Sequence, residues 1–222
     1  MISVQARLVV LAVWIGLVLA PAGAHGAAPT NVAVGDSITN QSRDEILNRF
    51  YAAGWPGDVY AINSQRIDQM RPYVQTAAAT APRLQRMFLF LGTNDAWQFQ
   101  GGTQSLQTSI NQLRGAVNDV TSVRPKACVF LVTVHDFYYV HGDVDTSRFH
   151  LAATALNNEM KKIDSASQKV FLIDWNQLSM GQKWFVDAIG HLNQAGQDHL
   201  ADYYRFFGTL ANTASKPCGQ PA

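Results

Sequence analysis

Residues 32–39 read VAVGDSIT, an apolar run that ends in Gly35-Asp36-Ser37 where a short strand is expected to pass into a helix. That junction puts one serine hydroxyl at the mouth of a sheet. Outward from it, apolar runs recur: NVAVG at 31–35, DVYAI at 58–62, MFLFL at 87–91, CVFLVTV at 128–134 and KVFLI at 169–173. Each is short and nearly continuously apolar, as strands covered on both faces of a parallel sheet must be. Helical patterns fall between them, at about 41–53, 67–79, 103–122, 147–166 and 194–212. Alternation of this kind predicts right-handed βαβ units and a three-layer α/β/α sandwich.

The chain has 222 residues, 47% of them hydrophobic and 15% charged, enough for one sizeable core. The formal charge is +1 with both signs scattered, which gives no field to attract nucleic acid or an anionic membrane surface. Residues 1–27 combine Arg7, an apolar stretch from Leu8 to Ala20 and an Ala-x-Ala site at Ala22 and Ala24. The stretch is shorter than the roughly 20 residues of a membrane span and reads as a secretory signal peptide, leaving a single domain over 28–222. Export to an oxidising compartment allows Cys128 and Cys218 to pair. Cys128 opens the fourth strand, and the final helix returns the tail to that same end of the sheet, so a bridge is expected. A buried Cys128 with a free Cys218 is the alternative.

In a sheet of this type ligands bind beyond the carboxyl ends of the strands. Ser37 follows the first strand, Gly92-Thr93-Asn94-Asp95 the third, His135-Asp136 the fourth, and His191 precedes the last helix. A serine hydroxyl becomes a useful nucleophile only beside a base that an acceptor holds in place, and Ser37 and His191 supply the first two parts. Gly-Asp-Ser alone is more often a turn or a helix cap, and GTND alone an Asx turn. Their order along the chain, with DAIGHLNQAG at 187–196 downstream, favours the catalytic reading.

These three segments together resemble the SGNH hydrolases, or GDSL-type esterases, over about residues 31–210. The resemblance implies a flavodoxin-like sandwich with five parallel strands and hydrolysis of a carboxylic ester without metal or organic cofactor. It implies Ser37 as nucleophile, His191 as base, and an oxyanion hole from the Ser37 N–H and the Asn94 side chain. The chain departs from the family at two points. Where a glycine N–H is usual after the second strand it has Asn63-Ser64-Gln65, leaving Ser64 or Gln65 as third donor, with Ser64 placed first. Where the family has its aspartate three residues before the histidine this chain has Ala188; Asp187 is four before, reachable if Gly190 lets the loop bulge. Asp174 is the reserve candidate for the acid, otherwise a turn residue, and a Ser-His dyad is the other arrangement.

Asp36 and Tyr138 are expected to contact substrate, with the aromatic segment 136–139 as one wall of a cleft and Trp97, Phe99, Trp184 and Phe185 as candidates for the rest. His135, His141 and His150 with Asp136 and Asp143 match no metal-ligand spacing. The substrate is expected to be a small-molecule or carbohydrate ester and the protein a monomer. Two rivals use the same fold: an O-acyltransferase acting on a carbohydrate or lipid, and a non-catalytic carbohydrate-binding protein. A phosphate-binding reading lacks the glycine-rich loop it needs after the first strand.

Overall fold

The computed structural model describes residues 28–136, 146–187, 190–213 and 218. The signal peptide expected at 1–27, the Tyr138 segment, His141, Asp143 and Ala188 lie outside the described residues. Five parallel strands, β1 (Asn31–Gly35), β2 (Gly57–Ala61), β3 (Arg86–Phe90), β4 (Cys128–Val132) and β5 (Val170–Ile173), form one sheet in the order β2-β1-β3-β4-β5. This is the flavodoxin-like doubly wound order, whose switch point lies between β1 and β3.

The pleat sends alternate residues to opposite layers. Val32, Val34, Met87, Leu89, Val129 and Leu131 pack with α3 (Ile67–Thr80), α5 (Leu106–Val123) and α6 (Ser147–Ala166) in an aliphatic core. Ala33, Phe88, Phe90 and Phe130 face the other side, against α2 (Arg43–Ala52) and α8 (Gln194–Thr213). That layer is aromatic: Phe88 stacks on both Phe130 and Tyr204 at 4.6 Å. Each fully buried ring of this size contributes about 1.5–3 kcal/mol of burial. Phe88 and Tyr204 thereby fix α8, and with it the segment just before it, on the sheet.

Three differences from the sequence reading have local causes. The helix expected over 41–53 is α2, and a separate short helix outside that range, α1 (Ser37–Gln41), precedes it, with Ser42 between the two. There the hydroxyl donates to the Ile38 carbonyl at 2.9 Å and competes with the backbone ladder. The strand expected to run to 134 ends at Val132. The Asn157 side chain instead takes both polar groups of Val134, at 2.8 Å each, in place of a neighbouring strand. Two short helices, α4 (Thr93–Gln100) and α7 (Trp175–Ser179), carry no apolar stripe long enough to be read.

At the amino ends of the strands two devices tie down the tail. Arg86, 1% exposed, donates to the Gly208 carbonyl and the Asn31 side chain and lies over the Trp55 ring, and burial pushes its pKa down to about 10. Beside it Cys128 and Cys218 form a disulfide, Cα atoms 5.3 Å apart across 90 residues of chain. A loop of that size stabilises by up to about 4–5 kcal/mol through the unfolded state. At about 2–4 °C per kcal/mol, reduction is expected to lower the melting temperature by roughly 10 °C, read by calorimetry with and without dithiothreitol. An unchanged melting temperature would assign the bridge no structural weight.

Candidate active site

Asp36, Ser37, Asn94 and His191 meet beyond the carboxyl ends of β1 and β3, at the switch point. Ser37 is the first residue of α1, and Asp36 caps that helix by accepting from the Ile38 N–H at 3.1 Å. The turn from β1 into α1 is tight enough that a Cβ on Gly35 would run into the Thr39 side chain. Ser37 is thereby aimed at the rim, and its Oγ lies 3.1 Å from His191 Nε2.

His191 and Asp187 sit on a small hairpin. Asn193 N–H donates to the Trp184 carbonyl at 2.8 Å, Val186 N–H to the His191 carbonyl at 2.9 Å, and Phe185 pairs antiparallel with Leu192. Gly190, at φ +98°, makes the reversal that other residues resist. Across it Asp187 uses both oxygens, accepting from the His191 backbone N–H at 3.0 Å and lying 2.5 Å from His191 Nδ1. The hairpin is how a spacing of four brings the carboxylate to the ring. Asn193 then caps α8 through the Gly196 N–H at 3.0 Å, and a Cβ on Gly196 would fall 2.6 Å from the Trp184 carbonyl, so α8 starts hard against the hairpin.

Asp174, the reserve acid, is elsewhere: it caps α7, accepts from the Thr133 hydroxyl at 3.1 Å and pairs with Lys161. Asn94 is the second residue of α4, and its amide donates to Asp36 Oδ2 and to the Gln65 carbonyl, each at 3.1 Å. Ser64, the residue before Gln65, has φ 60°, making it the only described non-glycine residue in the left-handed region. That is the conformation a glycine would hold freely, and a serine there carries on the order of 1–2 kcal/mol of strain. Gln65 has its carbonyl committed to Asn94.

One expectation is corrected. Asp36 does not face a substrate: it is fully buried and both its oxygens are taken by protein donors. Burial pushes its carboxyl up to about 7, helped by Asp95 and opposed by the Ile38 N–H, the Asn94 amide and His191. Of the proposed aromatic wall, Trp184 stacks on buried Trp175, while Phe185 lies 4.4 Å from the His135 ring and packs with Trp97, Phe99 and Phe149. His135 is buried and its pKa falls to about 4, which keeps it neutral; the Ser179 hydroxyl donates to the Trp175 carbonyl and so accepts from His135 Nδ1. His150 pairs with Asp136, a contact between α6 and the segment after β4 that spacing did not reveal.

A sequence-family model, the GDSL-like Lipase/Acylhydrolase family, matches residues 33–199, which run from β1 through His191 into α8. The chain belongs to that family. No curated protein sequence matches it, but solved structures do. The C-terminal catalytic domain of Streptococcus pneumoniae peptidoglycan O-acetyltransferase A, with a methylsulfonyl adduct, superposes with TM-score 0.61 at 16% identity, covering 88% of this chain and 100% of that one. A putative GDSL-like lipase from Parabacteroides merdae gives 0.66 at 13% identity, over 82% and 96% of the two chains. A family 3 carbohydrate esterase from Clostridium thermocellum gives 0.61 at 15% identity, over 84% and 99%. At these identities the likeness is one of fold, and the chemistry of this GDSL protein rests on its own residues.

Proposed function

We propose that this GDSL-family protein is an exported serine esterase acting on a small-molecule or carbohydrate ester. The observation that carries the reading is the continuous chain from Ser37 Oγ to His191 Nε2, 3.1 Å, and from His191 Nδ1 to Asp187, 2.5 Å. Ser37 Oγ attacks the acyl carbonyl as His191 Nε2 takes its proton, and Asp187 holds the ring and steadies the imidazolium. His191 returns that proton to the departing alcohol, leaving an acyl-serine. Water, deprotonated by the same nitrogen, attacks the acyl-serine, and the proton passes back to Ser37 Oγ as the acid is released. The Ser37 N–H and a backbone N–H from Ser64 or Gln65 donate to the oxyanion, and the Asn94 amide joins them by turning onto it the hydrogen that it gives to the Gln65 carbonyl in the substrate-free protein. No step in this sequence calls for a metal or organic cofactor.

Export is supported by the disulfide and by the leader-like sequence of residues 1–27. Among the described residues no helix is long and apolar enough to cross a membrane. Water access favours hydrolysis over transfer, since the side chains of His191 and Asp187 remain 22% and 37% exposed. An acyltransferase must shield its acyl-serine from solvent. Purified protein offered p-nitrophenyl esters of rising chain length and acetylated oligosaccharides is expected to release acid. Acyl transfer to an added sugar in preference to water would select the transferase instead.

Asn94→Ala is expected to lower kcat by about 10²–10³-fold with little change in KM, because its amide acts on charge that appears in the transition state. Steady-state kinetics on the best ester check this. A change confined to KM would make Asn94 a binding residue.

A further inference from the structure

The first three strands end in one junction. Asp36 follows β1, Gln65 follows β2, and Asn94 follows β3. The Asn94 amide bridges the other two, with one hydrogen on the Asp36 carboxyl and one on the Gln65 carbonyl, each at 3.1 Å. The second oxygen of Asp36 receives the Ile38 N–H, in the first turn of the helix that Ser37 opens.

We infer that Asp36 is a positioning residue, which clamps the oxyanion donor Asn94 to the turn carrying Ser37, so that a single buried carboxyl sets nucleophile and donor while the hydrogen now on the Gln65 carbonyl is the one Asn94 turns to the oxyanion. The inference rests on the esterase reading above. Two acceptor oxygens are needed at this point. The two oxygens of Asp36 meet two donors, one backbone N–H and one amide. An asparagine here has only one acceptor, so in either flip an amide NH₂ would face another N–H, and one of the two contacts is lost.

The surroundings add a second consequence. Asp36 is enclosed by α1 through Ile38, by α4 through Asn94 and Asp95, by the hairpin through His191 and by α8 through the Tyr204 phenol. Because burial holds it near 7, the native protein keeps this proton over a pH range where the unfolded chain, near 3.8, has lost it. Stability from this group is therefore greatest below about 3.8 and declines as pH rises through 7. The clamp then works at neutral pH as a mixture of two forms. The ionised form accepts most strongly from Asn94.

The test is a double-mutant cycle on ester hydrolysis. Asp36→Asn and Asn94→Ala are each expected to lower kcat by on the order of 10²-fold with KM within about threefold, and the double variant to be no more than about threefold slower than Asn94→Ala. Multiplying losses, or a wild-type kcat in Asp36→Asn, would overturn the clamp. Asp36→Ser serves as the second variant, since serine still caps α1 but is too short to reach Asn94. The wild-type protein supplies a measurement that needs no variant: the Asp36 side-chain carbon and the Asn94 amide nitrogen should titrate together in NMR, with a midpoint near neutrality. An Asn94 signal that ignores the Asp36 titration would overturn the clamp even where no variant folds. A wild type that hydrolyses no ester would count against the esterase reading alone, because the joint titration reads the clamp without turnover.

Discussion

Ser37→Ala is expected to remove ester hydrolysis almost completely, by on the order of 10⁴–10⁶-fold in kcat. The serine hydroxyl is the only protein atom proposed to bond the acyl group, so nothing remains to make the acyl intermediate. Its Oγ contacts His191 and supports no core packing, and the cap of α1 belongs to Asp36. The melting temperature is therefore expected to stay within a degree or two of wild type, checked by calorimetry on the same sample as the kinetics. A folded Ser37→Ala protein with appreciable turnover would mean that the chemistry lies elsewhere.

Asp187→Asn carries the second large effect, about 10⁴-fold in kcat by analogy with the same change in a serine protease. Asp187 accepts from the His191 backbone and lies against Nδ1. An asparagine can keep the backbone contact through its one carbonyl oxygen only by turning its NH₂ toward the ring. Nδ1 then meets a donor, the imidazole is pressed into the tautomer that protonates Nε2, and the base is lost. The backbone contact survives, so the hairpin persists and KM is expected to change little. If Asp187→Asn is nearly fully active while Asp174→Asn is not, the acid has been misassigned; the distance of Asp174 from the ring, in its cap on α7, argues for the opposite result.

The sheet and the order of the site were legible because both are written locally. The three central strands, buried on both faces, read as apolar runs, and a pleat with Phe on one side and Val, Leu or Met on the other still reads as apolar throughout. The site residues lie at the ends of those runs, and Gly190 announced the reversal that brings Asp187 to His191. What stayed hidden depends on contacts across the fold. Asn157 standing in for a strand beside Val134, the pairing of His150 with Asp136, and the guanidinium of Arg86 under α8 each join residues far apart in sequence. Asp36 was misread for the same reason: beside a nucleophile a carboxylate suggests substrate contact, and only the packing of α4 and α8 shows it enclosed. The left-handed turn at Ser64 gave no signal of its own, because a left-handed serine looks in sequence like any other loop serine, although the family resemblance had marked its position.

The measurement that bears most directly on the central claim is covalent capture of the nucleophile. Native protein treated with a fluorophosphonate and digested for mass spectrometry is expected to carry one adduct per chain, on the peptide containing Ser37, with ester hydrolysis lost in proportion. The His191→Ala variant is expected to resist the reagent because the hydroxyl has lost its base. An adduct on a different residue, or full hydrolysis with Ser37 unmodified, would contradict the account.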